Sequence, residues 1–205
     1  MEQIKYTKME LRLQQIKLGQ LQKYLPTLQL KKAMLQLEIN EVTTYLEHLF
    51  LQMGEYEQKI EGYQKLLTDP DAEHLKNSCV IAGVRKHYEN IAGVEIPVFD
   101  SIEFQSPTYF LFDTPFWLED GINGVQDLIT VRERVEVLEE KKRLLENELK
   151  AVSIRVNLFE KRMIPRTEAN IKRIKIFLGD QQLAAVSQAK VSKRKIEERK
   201  KKAYA

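Results

Sequence analysis

Three histidines, a single cysteine and the serine beside it are the side chains of this 205-residue chain best suited to metal binding or nucleophilic attack. His74, Cys79 and His87 could converge on a metal only if residues 68–124 folded around it. A structural zinc site takes four ligands, and no fourth is evident near these three. Ser78 adjoins Cys79, but a nucleophile needs a neighbouring base and an orienting carboxylate, and the spacing supplies neither. AGVRK sets basic residues beside a glycine without the GxxxxGK spacing that cradles a phosphate. The glutamates of VEVLEEKKRLLENELK stand four residues from Lys and Arg partners, an arrangement that solvates a helix face. The expectation is a chain with no catalytic residue, no metal and no cofactor of its own.

The elements that carry these residues are dominated by long helices. Charged residues make up 31%, and Leu, Ile, Lys, Glu and Gln dominate both ends, a bias typical of coiled coil. No run of ~18 apolar residues is present, so no membrane span is expected. The opening MEQIKYTKMELR is too charged for a secretory signal, and one cysteine excludes an internal disulfide and suits a cytoplasmic protein. Charge is unevenly spread. Residues 1–35 hold seven Lys/Arg against two Glu, and residues 160–202 hold fourteen against five acids, while the whole chain is only +3. The middle is therefore acidic. A fold that joins the termini would be basic at that end.

A heptad register runs through the first 67 residues. Its a positions are Ile4, Leu11, Leu18, Leu25, Lys32, Ile39, Leu46, Met53, Ile60 and Leu67. Its d positions are Thr7, Gln14, Leu21, Leu28, Leu35, Val42, Leu49, Tyr56 and Tyr63. A second stripe runs Leu128, Val131, Val135, Leu138, Lys142, Leu145, Leu149, Val152, Val156, Phe159, Met163. Strict 3-4 alternation of this length is a coiled-coil seam, since an untwisted helix would drift off a seven-residue repeat. Two stripes in one chain predict a mainly α fold: a long antiparallel two-helix coiled coil with a short β-hairpin insertion in the middle. At 1.5 Å per residue a 67-residue helix would reach ~100 Å, which predicts a rod. Lys32 and Lys142 occupy a positions, where a polar residue either fixes the register or snorkels out of the seam.

The expected division is an N-terminal helix at 1–67, an insertion at 68–124 and a C-terminal helix with a basic tail at 125–205. The insertion holds four of the six prolines, the one tryptophan and eight of the seventeen aromatics. SCVIAGVRKHY and GVEIPVFDSIEF, separated by ENIA, read as a β-hairpin over about 79–104. DPDAEH before it and LEDGINGVQD after it are turn and helix-start signals. A lone hairpin is marginal in water, so its aromatic face is expected to pack on the helices or on a partner.

Pro165 stands well inside an otherwise helical stretch, IRVNLFEKRMIPRTEANIKRIK. Beyond it the apolar positions run Ile164, Thr167, Ile171, Ile174, Leu178, the earlier 3-4 pattern advanced by one residue. A one-residue slip needs a local change in winding. Counting outward from the insertion sets Pro26 and Pro165 near one level, which predicts a shared bend or change of twist there.

Three segments resemble the D subunit of the V-type and archaeal-type rotary ATPases. TKMELRLQQIKLGQLQKYLPTLQLKKAMLQLEI resembles the family's opening, with T-[KR]-x-E-L followed by an L-K-x-K-x-x-L segment. NIAGVEIP resembles its N-I-x-G-V-x-[VI]-P stretch, and IRVNLFEKRMIPR its R-V-N-x-[LF]-E-x-x-x-I-P-R signature. The resemblance implies a non-catalytic central shaft that transmits torque between a catalytic hexamer and an ion-carrying membrane ring. It implies as partners the catalytic and non-catalytic hexamer subunits, a small central-stalk subunit and a membrane-side socket subunit above the ring. It implies neither membrane insertion nor nucleic-acid binding, and a place at the inner face of the membrane. Hexamer contacts are expected at Arg155, Arg162, Ile164, Pro165 and Arg166, and membrane-side or stalk contacts at Ile91, Gly93, Val94, Pro97 and Trp117. The alternative reading is a helical-hairpin scaffold that binds nucleic acid or an acidic partner through its basic end.

Overall fold

The computed structural model describes residues 4–62, 72–106 and 115–203. Its elements are α1 (Lys8–Glu61), α2 (Ala72–Ser78), β1 (Ile81–Ile91), β2 (Val94–Phe104), α3 (Trp117–Leu158), a π-helical turn (Phe159–Met163) and α4 (Ile164–Ala203). The fold is mainly α with a two-stranded antiparallel insertion, as the two stripes and the ENIA-split segment predict. The last seam positions assigned to the N-terminal helix, Tyr63 and Leu67, lie outside the described residues, as does DPD of DPDAEH. The LEDGINGVQD segment is helical throughout, within an α3 that opens at Trp117.

The start of α1 follows from its sequence. Thr7 accepts the Glu10 N–H on Oγ1 at 3.2 Å, satisfying one of the donors a helix N-terminus leaves open. Leu, Gln, Lys, Glu and Met then fill the helix with residues that lose little rotamer freedom there. Gly62 follows its last residue.

The chain folds as two compact units, residues 31–152 and residues 1–30 with 153–205. In the 31–152 unit the core is the seam: Leu35, Ile39, Val42, Leu46 and Leu49 of α1, with Val131, Val135, Leu145 and Val152 of α3, are all buried. Two ion pairs set direction and register. Lys31 Nζ lies 2.7 Å from Glu148 and Lys141 Nζ 2.6 Å from Glu38, so a seven-residue step forward on α1 matches a seven-residue step back on α3. That is antiparallel pairing. Lys32 and Lys142 do not carry it: Lys32 is exposed and Lys142 half-buried, and the cross-helix bonds belong to the residues immediately before them.

The hairpin belongs to the same unit and packs on the helices. Ile96 and Pro97 of β2 are buried, as is Val137 of α3, which lies off the seam. The Arg134 guanidinium sits 5.3 Å from the centre of the Phe99 ring, a cation–π contact between helix and strand. Strand β1 is almost wholly exposed. The loop is shorter than ENIA implies, because Glu89, Asn90 and Ile91 pair with Ile96, Glu95 and Val94. Only Ala92 and Gly93 turn the chain, at φ 52° and 81°, the two positive angles of a tight type I′ hairpin. Asn90 reads as a loop residue but serves inside the strand, its Oδ1 accepting the Gly93 N–H at 2.9 Å.

An alanine in left-handed backbone costs about 1–2 kcal/mol relative to a residue that tolerates it. Ala92→Gly is therefore expected to slow amide hydrogen exchange across β1 and β2 severalfold, with helix content unchanged. Faster exchange in the variant would mean that the turn is not strained.

Candidate partner-binding surfaces

The unit of residues 1–30 and 153–205 holds the signature segment. Leu21 is buried on α1, and Val156, Thr167, Ile171 and Ile174 are buried on the other side of the seam. The stripe predicted beyond the proline is therefore the buried one. The slip is made by the π-helical turn Phe159–Met163, where the Ile164 N–H reaches back five residues to the Phe159 carbonyl. A π-turn admits one extra residue into a helix, which is the change in winding that a one-residue slip requires. Pro165 has no N–H, so it leaves a further carbonyl in that turn without its helical donor. Thr167 donates its hydroxyl to the Met163 carbonyl at 2.7 Å, just beyond that turn. Thr27, one residue after Pro26, bonds back to the Lys23 carbonyl in the same way at 3.3 Å.

The two prolines are not level. Met163, Arg166, Thr167 and Asn170 share a groove with Glu10, Gln14 and Lys17, which sets Pro165 opposite residues near Gln14. Pro26 is about 12 residues further along α1, or ~18 Å of helix. The count from the insertion fails because the second stripe begins at Leu128 while its helix begins at Trp117. Tyr6 lies along α4 further on, its ring centroid 5.0 Å from that of Phe177.

Of the residues expected to meet a hexamer, Arg155, Arg162, Pro165 and Arg166 are exposed and Ile164 is half-buried. Arg166 alone among them lines the groove with Lys17. Of those expected on the membrane side, Gly93 is exposed at the hairpin tip and Ile91 and Val94 flank it half-buried. A Cβ on Gly93 would stand 3.8 Å from Lys31 Nζ, so the tip lies over α1. Pro97 is fully buried, so its side chain packs the hairpin inside its own unit. Trp117 is half-buried against Leu75, Leu118 and Ile122, a small core in which α2 meets the start of α3. Phe116 beside it is completely exposed.

The chemically active side chains are occupied elsewhere. Cys79 places Sγ 3.9 Å from the Ile122 carbonyl, and burial pushes its thiol above the ordinary range, away from thiolate chemistry. Ser78 is buried and donates to the His74 carbonyl at 2.9 Å. His87 is contacted by Glu89 at 3.3 Å and Asp100 at 2.6 Å, and those two hydrogen bonds, Glu89 first, raise its pKa. Asp100 reaches it because the register shifts between Arg85 and Lys86, leaving Asp100 as the extra residue of a bulge on β2. Among the described residues no three His, Cys, Asp or Glu side chains cluster as metal ligands would. No described helix is long and apolar enough to cross a membrane.

Comparison with known proteins matches this sequence to one family. The family model for the D subunit of ATP synthase matches residues 10–194. The chain is 42% identical to the V-type ATP synthase D subunit of Chlamydia felis and 41% identical to that of Chlamydia abortus, covering 97% of this chain and 96% of each relative. Against the corresponding D subunit of Chlamydia trachomatis serovar L2 it is 38% identical, over 97% of this chain and 98% of the relative. With the family model spanning residues 10–194 and relatives of that identity covered almost end to end, the chain belongs to the D subunit family of V-type ATP synthases.

Proposed function

We propose that this subunit is the non-catalytic central shaft of its complex, carrying torque between the hexamer that makes or hydrolyses ATP and the ring that moves ions. The observation that carries this reading is the antiparallel apolar seam, present in both units. A knobs-into-holes seam makes helices stiff, and stiffness is what a torque-bearing element needs.

In this reading the three segments 1–67, 68–124 and 125–205 divide the labour. The paired basic ends of the first and third enter the hexamer, with Arg155, Arg162, Ile164, Pro165 and Arg166 meeting its inner surface. The middle segment faces the membrane, with Ile91, Gly93, Val94 and Trp117 meeting the socket or the small stalk subunit. The shaft then lies peripherally at the inner face of the membrane, binds no nucleic acid and holds no cofactor. One shaft acts on several otherwise identical catalytic sites only if it contacts each differently, and the offset prolines and the π-turn make this end unequal from side to side.

The test is reconstitution. Arg162→Glu, combined with Arg166→Glu, is expected to weaken assembly with the hexamer and leave binding to the membrane-side subunits intact. Loss of the membrane-side partners with the hexamer retained would invert the orientation, and a chain that joins no ATPase assembly at all would end the proposal.

A further inference from the structure

The residues just before each a position of α1 flank the seam, and five of them are charged: Glu10, Lys17, Lys31, Glu38 and Lys59. Within the 31–152 unit two of the three flanking charges are answered across the seam, Lys31 by Glu148 and Glu38 by Lys141, while Lys59 lies 5.2 Å from the centre of the Tyr56 ring on its own helix. The other unit is different. There Lys17 shares a groove of about 400 Å3 with Arg166, a charge of the same sign, and Lys5 adds a third cation. The one carboxylate in the groove, Glu10, already accepts the Gln14 amide at 2.9 Å. Among the described residues none of the three cations has an ion-pair partner.

The π-turn is what brings Arg166 to this wall. On an unbroken register, Arg166 and Asn170 would follow Met163 into the seam itself. The extra residue in the turn gives those seam places to Thr167 and Ile171, which are buried, and moves Arg166 and Asn170 to the flank, where both line the groove. A single insertion thus keeps the seam apolar and builds a cationic, amide-bearing wall opposite Lys17. Such turns are frequent at functional sites.

We infer that this groove seats carboxylates of the subunits that surround the shaft: an Asp- or Glu-bearing segment enters between Lys17 and Arg166. The guanidinium offers a planar pair of donors that suits a carboxylate, and the lysine a point charge on the opposite side. The inference rests on the shaft reading, because it takes this end as the one inside the hexamer.

Carbodiimide cross-linking of the purified complex tests it, since the reagent joins a lysine amine to a carboxylate only at direct contact. Lys17 is expected to couple to an Asp or Glu of a hexamer subunit, located by mass spectrometry. Lys17→Arg keeps the charge but removes the amine, so it should abolish that product with assembly intact. Lys17→Glu with Arg166→Glu should weaken hexamer binding by about ten- to a hundredfold at low salt, with helicity unchanged. The wild-type affinity should itself fall as salt is added. A complex that assembles without a Lys17 product, or in which the double reversal leaves affinity unchanged, overturns the groove assignment and spares the shaft. A chain that does not join the hexamer overturns the shaft reading beneath it.

Discussion

Truncating Leu145 to Ala lowers the unfolding free energy of the chain by roughly 2–5 kcal/mol, and truncating Leu49 does the same. Both side chains are essentially inaccessible, at 0% and 1% exposure, and both lie in the seam of the 31–152 unit. Removing three carbons there loses the transfer energy of the buried surface and leaves a void that two stiff helices cannot easily close. Leu51→Ala, on the same helix but 72% exposed, should stay within about 0.5 kcal/mol of the parent. The pairing of Lys31 with Glu148 and Glu38 with Lys141 sets Leu145 opposite Leu35, which is also fully buried. Leu35→Ala and Leu145→Ala should therefore be non-additive, whereas Leu49→Ala, about fourteen residues along α1 from Leu35, should add to Leu145→Ala within ~0.5 kcal/mol. Urea titration of the single and double variants reads all of these. Equal costs at Leu51 and Leu145 would show that the stripe is not the core.

How much of this was legible depends on whether a feature repeats. The seam was, because every seventh residue restates it and a burial pattern of that period has one helical explanation. The slip beyond Met163 was legible for the same reason, and the π-turn is its physical cause. The hairpin could be read from Val, Ile, Phe and Tyr content, but its loop could not: Asn90 looks like a turn residue and instead sits in β1, reaching forward to the Gly93 N–H. The packing of β2 on α3 left one faint signal, the apolar Val137 off the seam, which has meaning only once Ile96 and Pro97 are seen buried in the same unit. Lys32 and Lys142 drew attention as irregular seam residues, while Lys31 and Lys141, unremarkable in sequence, make the cross-helix bonds. Partner identity across a seam is a three-dimensional fact that one helix's pattern does not contain. The groove beside Arg166 was hidden likewise, since Lys5, Lys17 and Arg166 read singly as solvated surface charges. The candidate contacts came from family resemblance, and the geometry sorts them by access, with Arg166 on the groove and Pro97 sealed inside its unit.

Deleting Lys161 is expected to leave the chain as helical as before and to hold or raise its thermal stability, although most single deletions inside a coiled coil are severe. The deletion removes the extra residue of the π-turn, so Phe159 remains in the seam, Ile164 takes the next place, and Thr167, Ile171, Ile174 and Leu178 follow at unbroken 3-4 spacing. The turn can then close with i→i−4 bonds, whose geometry is the stable one. Deleting Arg143, an exposed residue of α3, is the control. No π-turn absorbs that change, so Leu145, Leu149 and Val152 rotate by ~100° off the seam. Each lost burial costs about 2–5 kcal/mol, and their sum approaches or exceeds the 5–15 kcal/mol by which a native chain is stable. The Arg143 deletion should therefore abolish cooperative melting, while the Lys161 deletion melts at or above the parent temperature. Pro165→Ala should move in the same direction as the Lys161 deletion, by restoring a donor to the turn. In the assembled ATPase the order reverses. An unbroken α-turn no longer interrupts the helix at the signature, and with one residue fewer the side chains of Arg162 and Lys161 are replaced by a single cation on that face. On the proposed shaft reading, turnover or coupling should therefore fall in a subunit that is at least as stable as the parent. If the Lys161 deletion melts far below the parent, the π-turn is a requirement of the fold. If it melts normally and the complex turns over normally, the turn is a tolerated irregularity with no part in transmission.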